Sequence, residues 1–95
     1  MKIMNITLKE GPWPAKNHVD DLHYWVTIDG TDYLCRITGP ALFDDYQKSY
    51  ESQPTEVFEE FLDDVLRRTV RMLPRKPEVQ PGQPTVIIKK GDAFP

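Results

Sequence analysis

The sequence contains one cysteine, two histidines and no long uninterrupted apolar run. A single thiol cannot form an intramolecular disulfide, which indicates a reducing compartment such as the cytoplasm. No segment approaches the roughly 20 apolar residues that cross a bilayer, and the polar amino-terminal stretch lacks the apolar core of a signal peptide. We therefore expect a cytoplasmic protein that does not enter the membrane.

Positive charge is also scarce. Twelve Lys and Arg stand against fifteen Asp and Glu, which gives a net charge of −3. This balance provides no long-range attraction to nucleic acid or to anionic lipid. Gly-rich phosphate loops, Cys-x-x-Cys pairs and nucleophile-elbow motifs are all absent from the sequence. Composition and motifs thus favour neither an enzyme nor a nucleic-acid-binding protein, and we expect no cofactor.

What the chain does have is enough apolar material for one core. Its 95 residues are 39% hydrophobic and 11% aromatic, which is typical of a single folded domain. The clearest local signal is a β-hairpin at residues 22–38. Asp29 and Gly30 suit a two-residue type I′ turn, because that turn requires positive φ at both positions. The second strand ends at Thr38, before a Gly-Pro pair that suits the first turn of a helix.

The hairpin register predicts which residues belong to the core. Side chains alternate along a strand, so one face of the hairpin is apolar. Six residues share that face: Leu22, Tyr24, Val26, Tyr33, Cys35 and Ile37. We expect helices to cover it with Leu42, Tyr46, Phe58, Phe61, Leu62, Val65 and Leu66.

The remaining elements follow from periodicity and from proline. Residues 3–8 alternate and predict an amino-terminal strand that ends at the Gly-Pro-Trp-Pro sequence of 11–14. Helices are predicted at about 40–50 and 54–73, and a Pro-rich connection at 74–84 leads to a last strand at 85–90. The predicted fold class is α+β: a small antiparallel sheet with two helices on one face.

Two residues of the hairpin are not explained by that core. Trp25 and Leu34 pair on the opposite face, where an apolar pair is exposed unless Trp13 folds over it. Exposed apolar patches on small domains usually mark contacts, and tryptophan is a common interface anchor. Trp25, Leu34 and Trp13 are therefore the candidate interface, for a protein partner or a homodimer.

Metal binding or catalysis is an alternative based on the loop that precedes the hairpin. His18, Asp20 and His23 carry side chains that ligate divalent metals, although no further ligand stands at a recognisable spacing. Cys35 could be a nucleophile, but its register places it in the core. We expect a polar loop and an inert thiol.

A second alternative is nucleic-acid binding by the carboxyl-terminal part of the long helix. Residues 51–64 hold six acids and no base, whereas residues 67–76 hold five bases and no acid. This order complements the helix dipole, and the pairs Asp63–Arg67 and Asp64–Arg68 have i,i+4 spacing. The candidate basic patch comprises Arg67, Arg68, Arg71 and Arg75. Arginines at a helix end can also contact phosphates.

Several short motifs resemble a known family. They are Trp13, Gly30, the sequence Cys-Arg-Ile-Thr-Gly at 35–39, Ala41-Leu42, the apolar helix at 58–73 and the late strand at 85–90. Together they resemble the bacterial family called domain of unknown function 1488. The resemblance covers most of the chain and implies an α+β fold, an antiparallel sheet covered by helices and no particular activity. The connection at 74–84 is longer and richer in proline than the family pattern.

Overall fold

Seven elements follow one another in the computed structural model, which describes residues 5–16 and 20–94. The strands are β1 (Ile6–Pro14), β2 (Leu22–Ile28), β3 (Thr31–Ile37) and β4 (Val86–Ile88). The helices are α1 (Gly39–Phe43), α2 (Pro54–Glu60) and α3 (Leu62–Met72). The strands form one sheet in the order β1-β2-β3-β4, and the α+β prediction is confirmed.

The central hairpin has the predicted register. Tyr24 lies opposite Cys35, and Trp25 lies opposite Leu34. Asp29 and Gly30 have φ values of 49° and 86°, as a type I′ turn requires. Local turn chemistry therefore sets which side chains of β2 and β3 point to each face.

The first strand extends further than predicted. It was expected to end before Gly11, but β1 continues antiparallel to β2 as far as Pro14. Two register shifts, between Leu8 and Glu10 and between Glu10 and Trp13, allow the pairing with β2 to continue through the Gly-Pro-Trp-Pro segment. Proline is tolerated because β1 is an edge strand, where not every N–H is needed for the ladder. Residues 3 and 4 of the predicted strand lie outside the described residues.

The last strand joins the sheet in the parallel orientation, whereas an antiparallel sheet was predicted. β4 pairs parallel to β3, with Cys35 opposite Val86 and Ile37 opposite Ile88. The sheet is therefore mixed, and antiparallel pairing holds only among β1, β2 and β3. The three helices between β3 and β4 form the crossover that a parallel pair requires.

The helical segments are shorter than predicted. Thr38 caps α1, since its hydroxyl accepts from the Ala41 N–H at 3.4 Å, but the helix ends at Phe43 rather than near residue 50. The predicted helix at 54–73 is two helices, because Phe61 adopts φ −110° and ψ 26°. The Phe61 ring stacks on Tyr46 with centroids 4.3 Å apart.

The core lies between these helices and one face of the sheet, which we call the covered face. Its residues are at most 9% exposed: Leu22, Tyr24, Val26, Tyr33, Cys35, Ile37, Val86 and Ile88. The Tyr24 ring packs on Phe58 of α2, and its hydroxyl lies 2.8 Å from the hydroxyl of Thr69 on α3. Leu42 and Val65 complete the helical side of this core. The predicted covering of this face by helices is therefore observed.

Candidate interaction surface

The opposite side of the sheet, which we call the open face, carries the alternate residues of the same strands. Its members are His23, Trp25, Thr27, Asp32, Leu34, Arg36 and Ile87. The six residues from β2 and β3 are half-buried, and Ile87 is 37% exposed. The helices pack on the covered face, so the side chains of the open face remain partly accessible to solvent.

The centre of the open face is apolar. Trp25 of β2 and Leu34 of β3 lie directly opposite each other. On β1, Trp13 pairs with His23, and their ring centroids are 6.1 Å apart. A Cβ added at Gly11 would lie 2.8 Å from the Trp13 ring, so glycine is needed for the ring to lie over the strand. The three candidate interface residues thus share one face, and their role as an interface stays a prediction.

An ion pair flanks this apolar centre at the hairpin-turn end. The Asp32 carboxylate forms an ion pair with Lys9 of β1 and accepts a hydrogen bond from the Thr27 hydroxyl at 2.6 Å. The hydrogen bonds from Lys9 and Thr27 lower the pKa of the Asp32 carboxyl below its ordinary value. The carboxylate is therefore ionised and partnered at neutral pH.

A second ion pair flanks the centre at the other end. Arg36 donates from Nε to Asp21 at 2.9 Å, and its Nη2 bonds the same carboxylate oxygen. The other oxygen of Asp21 accepts from the Gly39 N–H at 2.8 Å, at the start of α1. Asp21 therefore joins the open face to the first helix and holds the Arg36 side chain in place.

Ile87 also belongs to the open face, and it was not identified from the sequence as a surface residue. It lies between the buried Val86 and Ile88, opposite Arg36 on β3. Strand alternation alone places it on the face away from its two neighbours. The signal was therefore present in the β-branched run, but placing Ile87 on the open face requires the pairing of β4 with β3, which was not predicted.

The candidate metal site is not assembled among the described residues. His23 lies on the open face beside Trp13, and Asp20 lies against Gly39, where an added Cβ would be 2.6 Å from the Asp20 Cβ. His18 lies outside the described residues. Within residues 5–16 and 20–94, no three His, Cys, Asp or Glu side chains are grouped so that they could hold a metal ion.

Cys35 is fully buried on the covered face. Its Sγ lies 3.7 Å from the Tyr33 carbonyl oxygen, and burial raises the pKa of the thiol to about 12. A nucleophilic cysteine needs an accessible thiolate, so this neutral, enclosed thiol is a core side chain.

The candidate basic patch loses one of its four members. Arg67, Arg71 and Arg75 are exposed, whereas Arg68 is fully buried. The helix dipole and i,i+4 spacing suggested a surface residue that pairs with Asp64. Instead, Arg68 pairs with Asp45 at 2.8 Å, in the turns after α1, and Asp64 lies 3.8 Å from Arg67. The guanidinium of Arg68 is therefore not available to a phosphate.

The Arg68 cluster is an internal anchor, made of Arg68 with Asp45, Tyr46, Asp92 and Phe94. Nε donates to the Asp92 carbonyl at 2.9 Å, Nη1 to the Tyr46 hydroxyl at 3.2 Å, and Nη2 to the Asp45 carboxylate. The guanidinium carbon lies 5.7 Å from the Tyr46 ring centroid and 5.1 Å from that of Phe94. Every guanidinium nitrogen is engaged, so the cluster fastens the segment after β4 to α3 rather than offering a binding site.

Two depressions open onto the helical side and the Pro-rich connection. One, of about 420 Å³, is lined mainly by Lys76, Glu78, Gln80 and Gln83. The other, of about 360 Å³, follows the break between α2 and α3 and is lined largely by acids. Neither lining includes a His or Cys, and the acids of the second are mostly solvent-exposed, without the burial that tunes a carboxyl for acid–base catalysis. The open face is therefore the best candidate site in the described part of the chain.

Comparison with known proteins adds no further guide to function. No protein-family model, no curated protein and no solved structure matches the chain. The resemblance to domain of unknown function 1488 accordingly stays a prediction from the motif residues. Among the described residues, no helix has the length and apolar character to cross a membrane.

Proposed function

We propose that this chain is a small non-catalytic interaction protein that contacts a protein partner through the open face. One observation carries the proposal: Trp25 and Leu34 form an apolar pair at the centre of a sheet face opposite the helices. An antiparallel sheet with one solvated face ordinarily carries polar side chains there. The pair therefore goes beyond what folding of the sheet requires.

The surroundings of this pair also suit a contact surface. Tryptophan is enriched among the residues that dominate binding energy, and such anchors lie at the centre of a patch with polar groups around it. Here the ion pairs Lys9–Asp32 and Asp21–Arg36 lie on either side of the apolar centre. Trp13 and Ile87 extend the apolar surface toward β1 and β4.

The two alternative functions have less support. Metal binding or catalysis would require ligands beside Asp20 and His23, and the described residues bring no such group together. Nucleic-acid binding would rest on Arg67, Arg71 and Arg75 alone, since Arg68 is buried, and the net charge is −3. Because Cys35 is single and buried, the proposal includes a reducing, cytoplasmic setting.

Site-specific photo-crosslinking in the protein's own cells tests the proposal. A photo-reactive phenylalanine analogue replaces Leu34 at the centre of the open face, and a matched variant carries it at the exposed Glu59 on α2. We expect a discrete adduct from position 34 and only background from position 59. Equal yields at both positions, or no adduct from position 34, would refute an interface on the open face.

A further inference from the structure

We propose that the occupant of the open face is the open face of a second copy. The two sheets would pack about a two-fold axis that passes over Trp25 and Leu34 and runs perpendicular to the strands. This inference rests on the proposed function and specifies its partner. It is carried by three features of the face: the order of charges along β3, the pairing of those charges within one chain, and the size of the face.

The order of residues along β3 is self-complementary. Asp32 and Arg36 lie two residues before and two residues after Leu34, all on the open face. A two-fold axis over Leu34 places β3 antiparallel to its counterpart, so each Asp32 lies over the other copy's Arg36. Packed sheets are about 10 Å apart, a distance that an Asp and an Arg side chain can span together. The contact is isologous, which closes a dimer and leaves no free surface for further growth.

Pairing within each chain limits the cost of bringing two such faces together. Asp32 already bonds Lys9, and Arg36 already bonds Asp21, so neither charge is buried alone when water leaves the interface. The two-fold arrangement adds a second partner of opposite sign to each group. The exposed Glu10 of the outer strand β1, which pairs with Trp25, would lie near its own counterpart, and this like-charge contact lowers the affinity of the dimer.

The size of the face predicts a weak dimer. β1, β2 and β3 lie about 4.8 Å apart and are at least seven residues long, which at about 3.4 Å per residue gives a face of about 14 by 24 Å, and the three residues of β4 add about 50 Å². This corresponds to roughly 400 Å² per copy and about 800 Å² for the pair, below the roughly 1,000 Å² that a stable specific interface buries. We therefore expect reversible, concentration-dependent association rather than a permanent dimer.

Sedimentation equilibrium of charge variants tests the two-fold arrangement. The native chain is compared with Asp32→Arg, with Arg36→Glu and with their equimolar mixture, from about 10 µM to about 1 mM. Each variant alone places like charges over one another, so we expect its dissociation constant to rise at least about 10-fold. In the mixture every contact regains opposite charges, so we expect the dimer to return. Glu59→Arg, on the exposed surface of α2, is the control that should dimerise as the native chain does.

The outcomes separate this inference from the function on which it rests. A native chain that stays monomeric throughout the concentration range, or a mixture no better than its components, overturns the homodimer. If position 34 then crosslinks a different protein in cells, the interaction function stands with another partner; if it crosslinks nothing, both fail. Should Arg36→Glu not fold, Leu34→Asp decides instead: it must remain folded and lose association, and a dimer that persists refutes the arrangement.

Discussion

The two faces of the central hairpin are built from alternate residues of the same two strands, and they differ in how far they are buried. On the covered face, residues such as Tyr24 and Cys35 are inaccessible and pack on helical side chains. On the open face, Trp25 and Leu34 alternate with them along the same strands but remain half-buried, beside paired charges. The covered face is explained by folding. The open face carries a half-buried tryptophan opposite a leucine, which folding alone does not require, and this difference is the basis of the functional proposal.

The largest effect should come from comparing neighbours on opposite faces. Tyr24→Ala empties a buried site between the sheet and Phe58, so we expect a loss of about 4 kcal/mol in the free energy of unfolding. Trp25→Ala removes a larger side chain from a partly accessible site and should cost about 1 kcal/mol. Urea denaturation at low protein concentration measures both. Equal losses in the free energy of unfolding would show that Trp25 is part of the hydrophobic core and would remove the distinction between the faces.

The next effect extends the comparison to the two arginine–aspartate pairs. Arg68→Met removes the ion-pair partner of Asp45, whose side chain is 6% exposed and among the described residues keeps only the Gly91 N–H as a donor, so we expect a loss of about 3 kcal/mol. Arg36→Met leaves Asp21 with the Gly39 N–H and better access to water, and should cost about 1 kcal/mol. The same denaturation measurement applies. If Arg36→Met lowered the free energy of unfolding more than Arg68→Met, the ion pair of the open face would serve mainly to stabilise the fold.

A smaller, pH-dependent effect tests the burial of Cys35. Burial raises the pKa of the Cys35 thiol to about 12, from its ordinary value of 9.0. The contribution of this thiol to the free energy of unfolding is therefore fully present below pH 9. It is lost as the pH rises toward 12, with a loss of about 1 kcal/mol at pH 10. Cys35→Ala should lack this part of the pH dependence. Burial also raises the pKa of the Tyr24 and Tyr46 hydroxyls, so their contributions should remain in both chains. Identical slopes above pH 9 for both chains would contradict an enclosed thiol.

Parts of the fold that depend on local chemistry could be predicted from the sequence. Asp29 and Gly30 define a turn, and the turn with strand alternation places every side chain of β2 and β3. The position of the Trp25–Leu34 pair followed from the same register. Its exposure was expected unless Trp13 covered it, and that condition depends on the path of β1, which the register of the hairpin does not define.

Parts that depend on distant pairing could not be predicted. The parallel orientation of β4 is decided by three residues that pair with residues of β3 lying 51 positions earlier in the chain. The burial of Arg68 depends on Asp45 and Asp92, which lie 23 and 24 residues away, rather than on its helical neighbours. Helical spacing alone assigned this residue to the surface, because it reports only partners within the same helix.

The central claim, that the open face is a contact surface, is tested most directly by the ratio of crosslinked adduct from position 34 to that from position 59 in intact cells. We predict a discrete adduct from Leu34 on the open face and only background from Glu59 on α2. A ratio near one, with both variants folded, would contradict the account.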